Sequence, residues 1–345
     1  QDVASGRIDA QGFGINGSWV PWYNVHKTFA GLRDAYLVAG KTQARELLTK
    51  LGDWCTELIS GLSDELMQNM LRAEHGGMNE VLADLYAITG EEKYLKAAKR
   101  FCHHDVLTPL MHGEDRLTGL HANTQIPKVI GLNRIAQLSD DSNAKSAATF
   151  FWKIVTEKRS VVFGGNSVSE HFNDPADFGD LIKRREGPET CNTYNMLRLT
   201  EALFADQPSA AYVDFYERAL YNHILASIHP THPGYVYFTP LRPQHYRVYS
   251  QPDTSFWCCV GSGMENPGRY SKLIYSRSRD EGIHVNLFIA SEIELADGIR
   301  LRQTTRFPDE PRTHLAFQVD KPASFALRLR HPSWVHEDEF VVRIN

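Results

Sequence analysis

Three of the chain's five cysteines stand in polar or glycine-containing surroundings where a thiol can do chemistry. Cys191 lies in Pro188-Glu-Thr-Cys-Asn-Thr-Tyr194, while Cys258 and Cys259 are neighbours in Phe256-Trp-Cys-Cys-Val-Gly-Ser-Gly263. Adjacent Cα atoms are about 3.8 Å apart, below the usual disulfide range of about 4.4–6.8 Å, so a Cys258–Cys259 bridge is strained. A bridge from Cys191 to either one strands the other. Three thiolates with the carboxylate of Glu189 make instead a four-ligand set that suits Zn²⁺. The spacing is not that of a zinc finger, since there is no paired C-x-x-C and 67 positions separate Cys191 from Cys258. A structural zinc staple between two loops and a reactive centre both fit these residues. Cys55 and Cys102 differ: beside Trp54 and Phe101 in apolar helical stripes, they read as buried small hydrophobes.

Glu170, in Gly164-Gly-Asn-Ser-Val-Ser-Glu-His-Phe172, lies 19 residues before Glu189. With its pKa raised by burial it would serve as a general acid; left exposed it is an ordinary loop glutamate. Tyr235, Tyr237, Phe238, His245, Tyr246 and Tyr249 cluster between Gly234 and Gln251, where they can stack on sugar rings or pack the loop under the helices.

The elements that must carry these groups follow a repeat. Asp34-Ala-Tyr-Leu-Val-Ala-Gly40 recurs fifty residues on as Asp84-Leu-Tyr-Ala-Ile-Thr-Gly90, and more weakly as Arg134-Ile-Ala-Gln-Leu-Ser-Asp140. Glu201-Ala-Leu-Phe-Ala-Asp206 is a fourth copy after a longer insertion. Apolar residues at helical spacing flank each copy, such as Ala44, Leu47, Leu48, Leu51, Cys55, Leu58 and Ile59. A period near fifty built of two helices means stacked helical hairpins. Four of them, with a further helical stretch at about 264–277, predict most of an α/α toroid or a solenoid; a closed ring of six hairpins needs more chain than this, consistent with a missing N-terminal piece. From Gly282 the pattern alternates, in Ile283–Ile289, Ile299–Arg302, His314–Val319 and Phe325–Arg330, as in part of an antiparallel β-sandwich. The expected division is therefore a mainly α domain over 1–280 and a partial β-sandwich over 281–345.

The repeat also locates a site. His26, His75, His121 and the pair Glu189 and Cys191 each fall eight to thirteen residues before the repeat's charged position. That places them at or near the N-terminal end of the first helix in each hairpin. In a toroid those ends share one rim, where helix dipoles favour carboxylates and thiolates. Taken singly, each histidine fits a role in capping its own loop; as a set they fit a shared pocket.

A chain of 345 residues has room for about two domains. Its net charge of −5, from 37 Lys+Arg against 42 Asp+Glu, argues against nucleic-acid binding. No apolar run approaches the ~18 residues of a membrane span. The chain starts at Gln1 without Met, and 340–345 read as an unfinished strand, as in a fragment or processed product. The compartment and the oligomeric state stay open.

Several motifs together resemble the β-L-arabinofuranosidases of glycoside hydrolase families 127 and 146. They are Trp22-Tyr-Asn-Val-His-Lys-Thr28, His75-Gly-Gly-Met-Asn79, Gly119-Leu-His-Ala-Asn-Thr-Gln125, Gly164-Gly-Asn-Ser167, Ser169-Glu-His-Phe172, Glu189-Thr-Cys-Asn-Thr-Tyr-Asn195, Tyr216-Glu-Arg-Ala-Leu-Tyr-Asn222 and Phe256-Trp-Cys-Cys259. The versions around Cys191 and Cys258 look nearer to family 146. The resemblance implies a retaining glycosidase on an (α/α)6 barrel with attached β-sandwich domains, acting on plant-derived glycans. It implies zinc held by Glu189, Cys191, Cys258 and Cys259, with Cys258 also the nucleophile and Glu170 the acid/base. It further implies that His26, His75, His121, Glu217 and Tyr237 contact the sugar or support the site. Family usage implies bacterial glycan breakdown, periplasmic or exported. Two rivals remain: a related glycosidase acting on another sugar, and a catalytically silent carbohydrate-binding protein with a structural zinc.

Overall fold

The computed structural model describes residues 1–295 and 298–344. Three two-residue strands come first: β1 (Ala10–Gln11), β2 (Gly14–Ile15) and β3 (Ser18–Trp19), an antiparallel meander. Four helical hairpins follow. They are α1 (Pro21–Leu37) with α2 (Thr42–Ser60), then, after α3 (Asp64–Met70), α4 (Met78–Thr89) with α5 (Glu92–Arg100). After α6 (His104–Met111) come α7 (Ala122–Ser139) with α8 (Ser142–Lys158). After α9 (Gly179–Lys183) come α10 (Thr190–Asp206) with α11 (Ala210–Ala219), which runs into a π-helical turn over Leu220–Ile224. The first helices pack side by side in the order α1, α4, α7, α10, with their partners outside them. An inner helix has neighbours on most sides, and α7 is buried from Ala122 through Asn133, as a helix without a solvent face must be. No described helix is long and apolar enough to cross a membrane.

The repeat's charged positions have a structural reason. Arg33 of α1 reaches Asp84 of α4 at 2.8 Å, and Arg134 of α7 reaches the same carboxylate at 2.7 Å. Glu80 of α4 accepts from Arg33 and from Arg198 of α10. Gln137 of α7 donates to Asp206 of α10 at 3.0 Å, and Arg269 pairs with Glu201. The second and third copies of the repeat thus meet directly as the Asp84–Arg134 ion pair, and the third and fourth through the Gln137–Asp206 hydrogen bond.

Beyond the hairpins the chain departs from expectation in three places. The helix expected over 264–277 instead begins at the cysteine pair, as α12 (Cys258–Glu265), and ends in a 3₁₀ turn over Asn266–Arg269. Trp257 and Cys258 follow an extended stretch, so the helix starts where the thiols are. Residues 275–277 form β4 (Tyr275–Arg277), which pairs across residue 280 with β5 (Ile283–Val285). The second sheet holds β6 (Ser291–Glu294), β7 (Ile299–Thr305) and β8 (Thr313–Val319), antiparallel throughout. The last strand, β9 (Leu327–Leu329), pairs with β5 in parallel, not antiparallel as the alternating pattern suggested. Alternation reports which face is buried and is blind to strand direction. Ile283, Val285, Ile299 and Leu301 from the two sheets form a small core of their own. Residues 340–344 are not in a strand, and residue 345 of that expected element lies outside the described residues.

Helix contact sets one sharp steric limit. A Cβ on Gly131 of α7 would fall 2.1 Å from Oδ1 of Asn79 on α4, whose amide donates to the Lys128 carbonyl at 2.9 Å. Gly131→Ala should therefore destabilise the protein by about 1–3 kcal/mol, read as a shift in the urea midpoint at unchanged slope. An unshifted midpoint would mean that α4 and α7 do not pack this closely.

Candidate active site

Two helix N-termini bring the acidic donors together. Glu189 is the N-cap residue of α10, yet its side chain makes no capping bond, and Cys191 follows in the first turn. Cys258 and Cys259 open α12. The tyrosine-rich segment returns over this junction. Thr190 N donates to the Tyr237 carbonyl at 2.9 Å and Thr239 N to that of Pro188 at 2.9 Å, which fixes the backbone of Glu189. One ligand atom from each of Glu189, Cys191, Cys258 and Cys259 then lies within 4.8 Å of all the others.

All five cysteines are free. The Cys191 and Cys259 sulfurs are 3.2 Å apart, well beyond a covalent S–S bond of about 2.05 Å. The Cys258 and Cys259 sulfurs lie 3.9 and 3.8 Å from Glu189 Oε1. Tetrahedral coordination with Zn–S near 2.3 Å separates sulfurs by about 3.8 Å, so the donor set fits such an ion by spacing and by chemistry. Glu189 Oε2 is also buried without a hydrogen-bond partner among the described residues. With only protein groups as partners, the cluster keeps little charge. Thiol hydrogen bonds from Cys191 and Cys259 hold Cys258 down to about 3. Glu189 is pushed well up by burial and by the Cys258 charge, Cys191 by its hydrogen bond to Cys258, and Cys259 by burial. Three of the four are buried; Cys258 alone is exposed. Cys55 and Cys102, by contrast, are buried and pushed up to about 12 by desolvation, as inert core thiols are.

Glu170 sits on a strained loop. Ser167, Ser169 and Glu170 have φ of 79°, 46° and 69°, a left-handed region that costs non-glycine residues of order 1–3 kcal/mol each. Asn192 of α10 donates to Ser167 Oγ at 2.7 Å, Ser169 N to the Glu186 carbonyl at 2.8 Å, and Ala122 N to the Glu170 carbonyl at 2.7 Å. These bonds hold the loop across two inner helices. The Tyr237 phenol donates to Glu170 Oε1, and His121 Nε2 stands 3.7 Å from Oε2. The carboxyl is half-buried, and its hydrogen bonds, that with His121 first, hold its pKa down to about 2. A general acid poised by burial was the expectation; here hydrogen bonding outweighs desolvation, and the group rests as a carboxylate.

Of the three histidines, His121 alone caps a helix. His121 is the N-cap of α7, with Nδ1 accepting from Thr124 N at 3.3 Å, while its other nitrogen faces Glu170. His26 lies one turn inside α1, buried, with Nδ1 unpartnered. His75 is buried, bonded through Nδ1 to the Ala73 carbonyl at 3.0 Å, with Nε2 unpartnered. A Cβ on Gly76 would fall 2.5 Å from His26 Nδ1, and Gly76 has φ +56°, so only glycine lets the His75 turn approach α1 this closely. Beneath His75, the buried Lys128 bonds His103 Nδ1 at 3.0 Å and Gln125 at 2.9 Å, and burial lowers its pKa to about 7.

Glu217 does not join this group. Its carboxylate pairs with the buried Arg330 and accepts from Trp334 Nε1 at 3.3 Å. Arg330 also binds Asp214 at 2.6 Å and the Asn286 carbonyl at 2.7 Å. Glu217 therefore ties α11 to the strand portion through Arg330. Two residues that motif spacing did not single out do belong at the site. Glu74, buried and pushed up by desolvation, feels both Cys258 and His121. Tyr23, raised by burial, feels Cys191, Glu74 and Cys258. Glu74 adjoins the quoted motif residue His75, and Tyr23 lies inside the quoted motif Trp22–Thr28.

Comparison with known proteins places this arrangement of helical hairpins, with a carboxylate and three thiols converging at two helix N-termini, in a family. The family model described as the GH127 catalytic domain of β-L-arabinofuranosidase matches residues 4–272. That of the GH127 middle domain matches residues 282–345. The chain belongs to glycoside hydrolase family 127. It is 25% identical over 349 aligned positions to a non-reducing end β-L-arabinofuranosidase of Bifidobacterium longum subsp. longum, covering 86% of this chain and 51% of that protein. The chain thus spans about half the length of that relative. A GH127 β-L-arabinofuranosidase from Geobacillus stearothermophilus T6 superposes with TM-score 0.68 at 19% identity, over 91% of this chain and 55% of that one. A second solved GH127 β-arabinofuranosidase gives TM-score 0.70 at 21% identity, over 91% and 50%. At these identities the structural likeness establishes the fold.

Removing the Glu217 carboxylate leaves Arg330 buried with less than its charge complement. Glu217→Ala should lower the unfolding free energy by about 2–4 kcal/mol, and a Glu217→Met, Arg330→Met double variant should recover much of the loss. Additive losses in the double variant, measured by chemical denaturation, would show that the two residues do not form this pair.

Proposed function

We propose that this chain carries the catalytic part of a retaining glycosidase that releases terminal β-L-arabinofuranose from plant-derived glycans. In this reading Glu189, Cys191, Cys258 and Cys259 hold zinc, Cys258 is the nucleophile and Glu170 the acid/base. The observation that carries it is the asymmetry of the quartet: three donors are buried, while Cys258 is exposed. A purely structural staple has no need of an exposed thiol. Tyr237 links the two reacting groups, since its phenol bonds Glu170 and also helps hold the Cys258 thiol down.

Bound zinc would keep the thiolates ionised and ease departure of the Cys258 sulfur in the second half-reaction. The Cys258 sulfur attacks the anomeric carbon while the Glu170 proton passes to the leaving oxygen. The C–O bond breaks and a C–S bond forms, giving a thioglycosyl enzyme. Glu170, now a carboxylate, takes a proton from water, whose oxygen displaces the sulfur. Two inversions leave the anomeric configuration retained. The resting carboxylate is in the form the second step needs. For the first, a leaving oxygen entering between Glu170 and Tyr237 would take over the phenol hydrogen bond and remove one of the two restraints on the carboxyl's pKa, so that Glu170 takes up from solvent the proton it then passes on. His26, His75, His121 and Tyr237, with Tyr23 and Glu74, would grip the sugar. Residues 1–280 would supply this chemistry and 281–345 an attached β portion. A periplasmic or exported bacterial setting suits the substrate, with metal protecting the thiols from oxidation.

Metal analysis by mass spectrometry should find about one zinc per chain. On an aryl β-L-arabinofuranoside, Glu170→Ala should lower kcat by about 10²–10⁴, and an epoxide-bearing arabinofuranose mimic should add its mass to Cys258. If Cys258→Ser with zinc still bound works at the parent rate, Cys258 is not the nucleophile. Sugar binding with neither turnover nor labelling would mark a silent carbohydrate-binding protein instead.

A further inference from the structure

The N-terminal meander has no part in the chemistry above, yet it is built onto the mouth. Glu74 N donates to the Gly12 carbonyl at 2.8 Å, and Ile15 is buried in the helical core. Phe13 meets His121 edge to face at 5.2 Å, and Trp19 packs on Phe13 at 5.4 Å. Trp19 is nonetheless 72% exposed. The next residue, Val20, has φ +37°, an outlier for a β-branched residue, and it precedes Pro21, which disfavours helical backbone before it. The chain accepts strain at this joint, where it turns from β3 into α1 and leaves the indole outside the core. Such strain recurs at functional sites.

We propose that Trp19, supported by Phe13, is the platform for the sugar ring on the leaving-group side of the scissile bond, a specificity-determining subsite. This rests on the reading of Glu170 as acid/base. The residue that protonates the leaving oxygen stands on the leaving-group side, with Cys258 reaching the anomeric carbon from the other face. His121 flanks Glu170 at 3.7 Å, Phe13 flanks His121, and Trp19 flanks Phe13. A ring joined through the leaving oxygen therefore extends along this aromatic edge. Sugar rings present an apolar C–H face, and an exposed indole is the flat apolar partner such a face takes.

The test compares methyl β-L-arabinofuranoside, which has no leaving-side ring, with a disaccharide ending in β-L-arabinofuranose. Trp19→Ala should lower kcat/KM for the disaccharide about tenfold further than for the methyl glycoside, mainly through KM, and Trp19→Tyr should restore most of the difference. Equal losses on the two substrates, or no loss on the disaccharide, would overturn the platform while leaving the hydrolase reading intact. Fluorescence separates the other case. Should the protein hydrolyse neither compound, a disaccharide-induced emission change that is present in the parent and absent in Trp19→Phe would uphold the platform and reject the hydrolase. No such change in an inert protein would reject both.

Discussion

Four acidic side chains gathered within 4.8 Å repel one another as they ionise, and everything around the mouth serves to hold them there. Burial keeps the Glu189 proton on, and the thiols share what charge they carry through mutual hydrogen bonds. The positive ends of α10 and α12 offset part of the remaining repulsion. A divalent cation bound there would offset more of it, because each donor would then face opposite charge. The fold thus brings a carboxylate and three sulfurs from segments 67 positions apart to one point.

Holding such a cluster requires a stiff frame. The inner helices supply it with ion pairs set back from the mouth, where Arg33, Glu80, Asp84, Arg134 and Arg198 tie α1, α4, α7 and α10 together. Breaking one partner of a buried pair is costly, so the helices resist sliding. The mouth can then afford local strain, seen in the left-handed backbone at Ser167, Ser169, Glu170 and Val20.

The same division explains the electrostatics of Glu170. A carboxyl surrounded by apolar side chains would have its pKa raised. Glu170 lies between a phenol donor and an imidazole, and their hydrogen bonds stabilise its charged form. The protonation of Glu170 is thus set by those two partners.

How much could be read beforehand depended on range. Helical periodicity, the fifty-residue repeat and the alternation after Gly282 were legible because they arise from local side-chain burial. The same holds for Cys55 and Cys102, whose apolar neighbours already marked them as core. The donor quartet was legible only as a list of suitable chemistries, and Glu217 was misplaced because a motif match says nothing of the arginine that folds against it from residue 330. Strand direction in the β5–β9 pair, the start of α12 at the cysteines, and the lowered pKa of Glu170 were equally out of reach. Sequence by itself determined which residue types were available and which helices would form. Only the tertiary structure decided which charges meet, because Coulomb and hydrogen-bond energies act over a few ångströms in space, however far apart along the chain the partners lie.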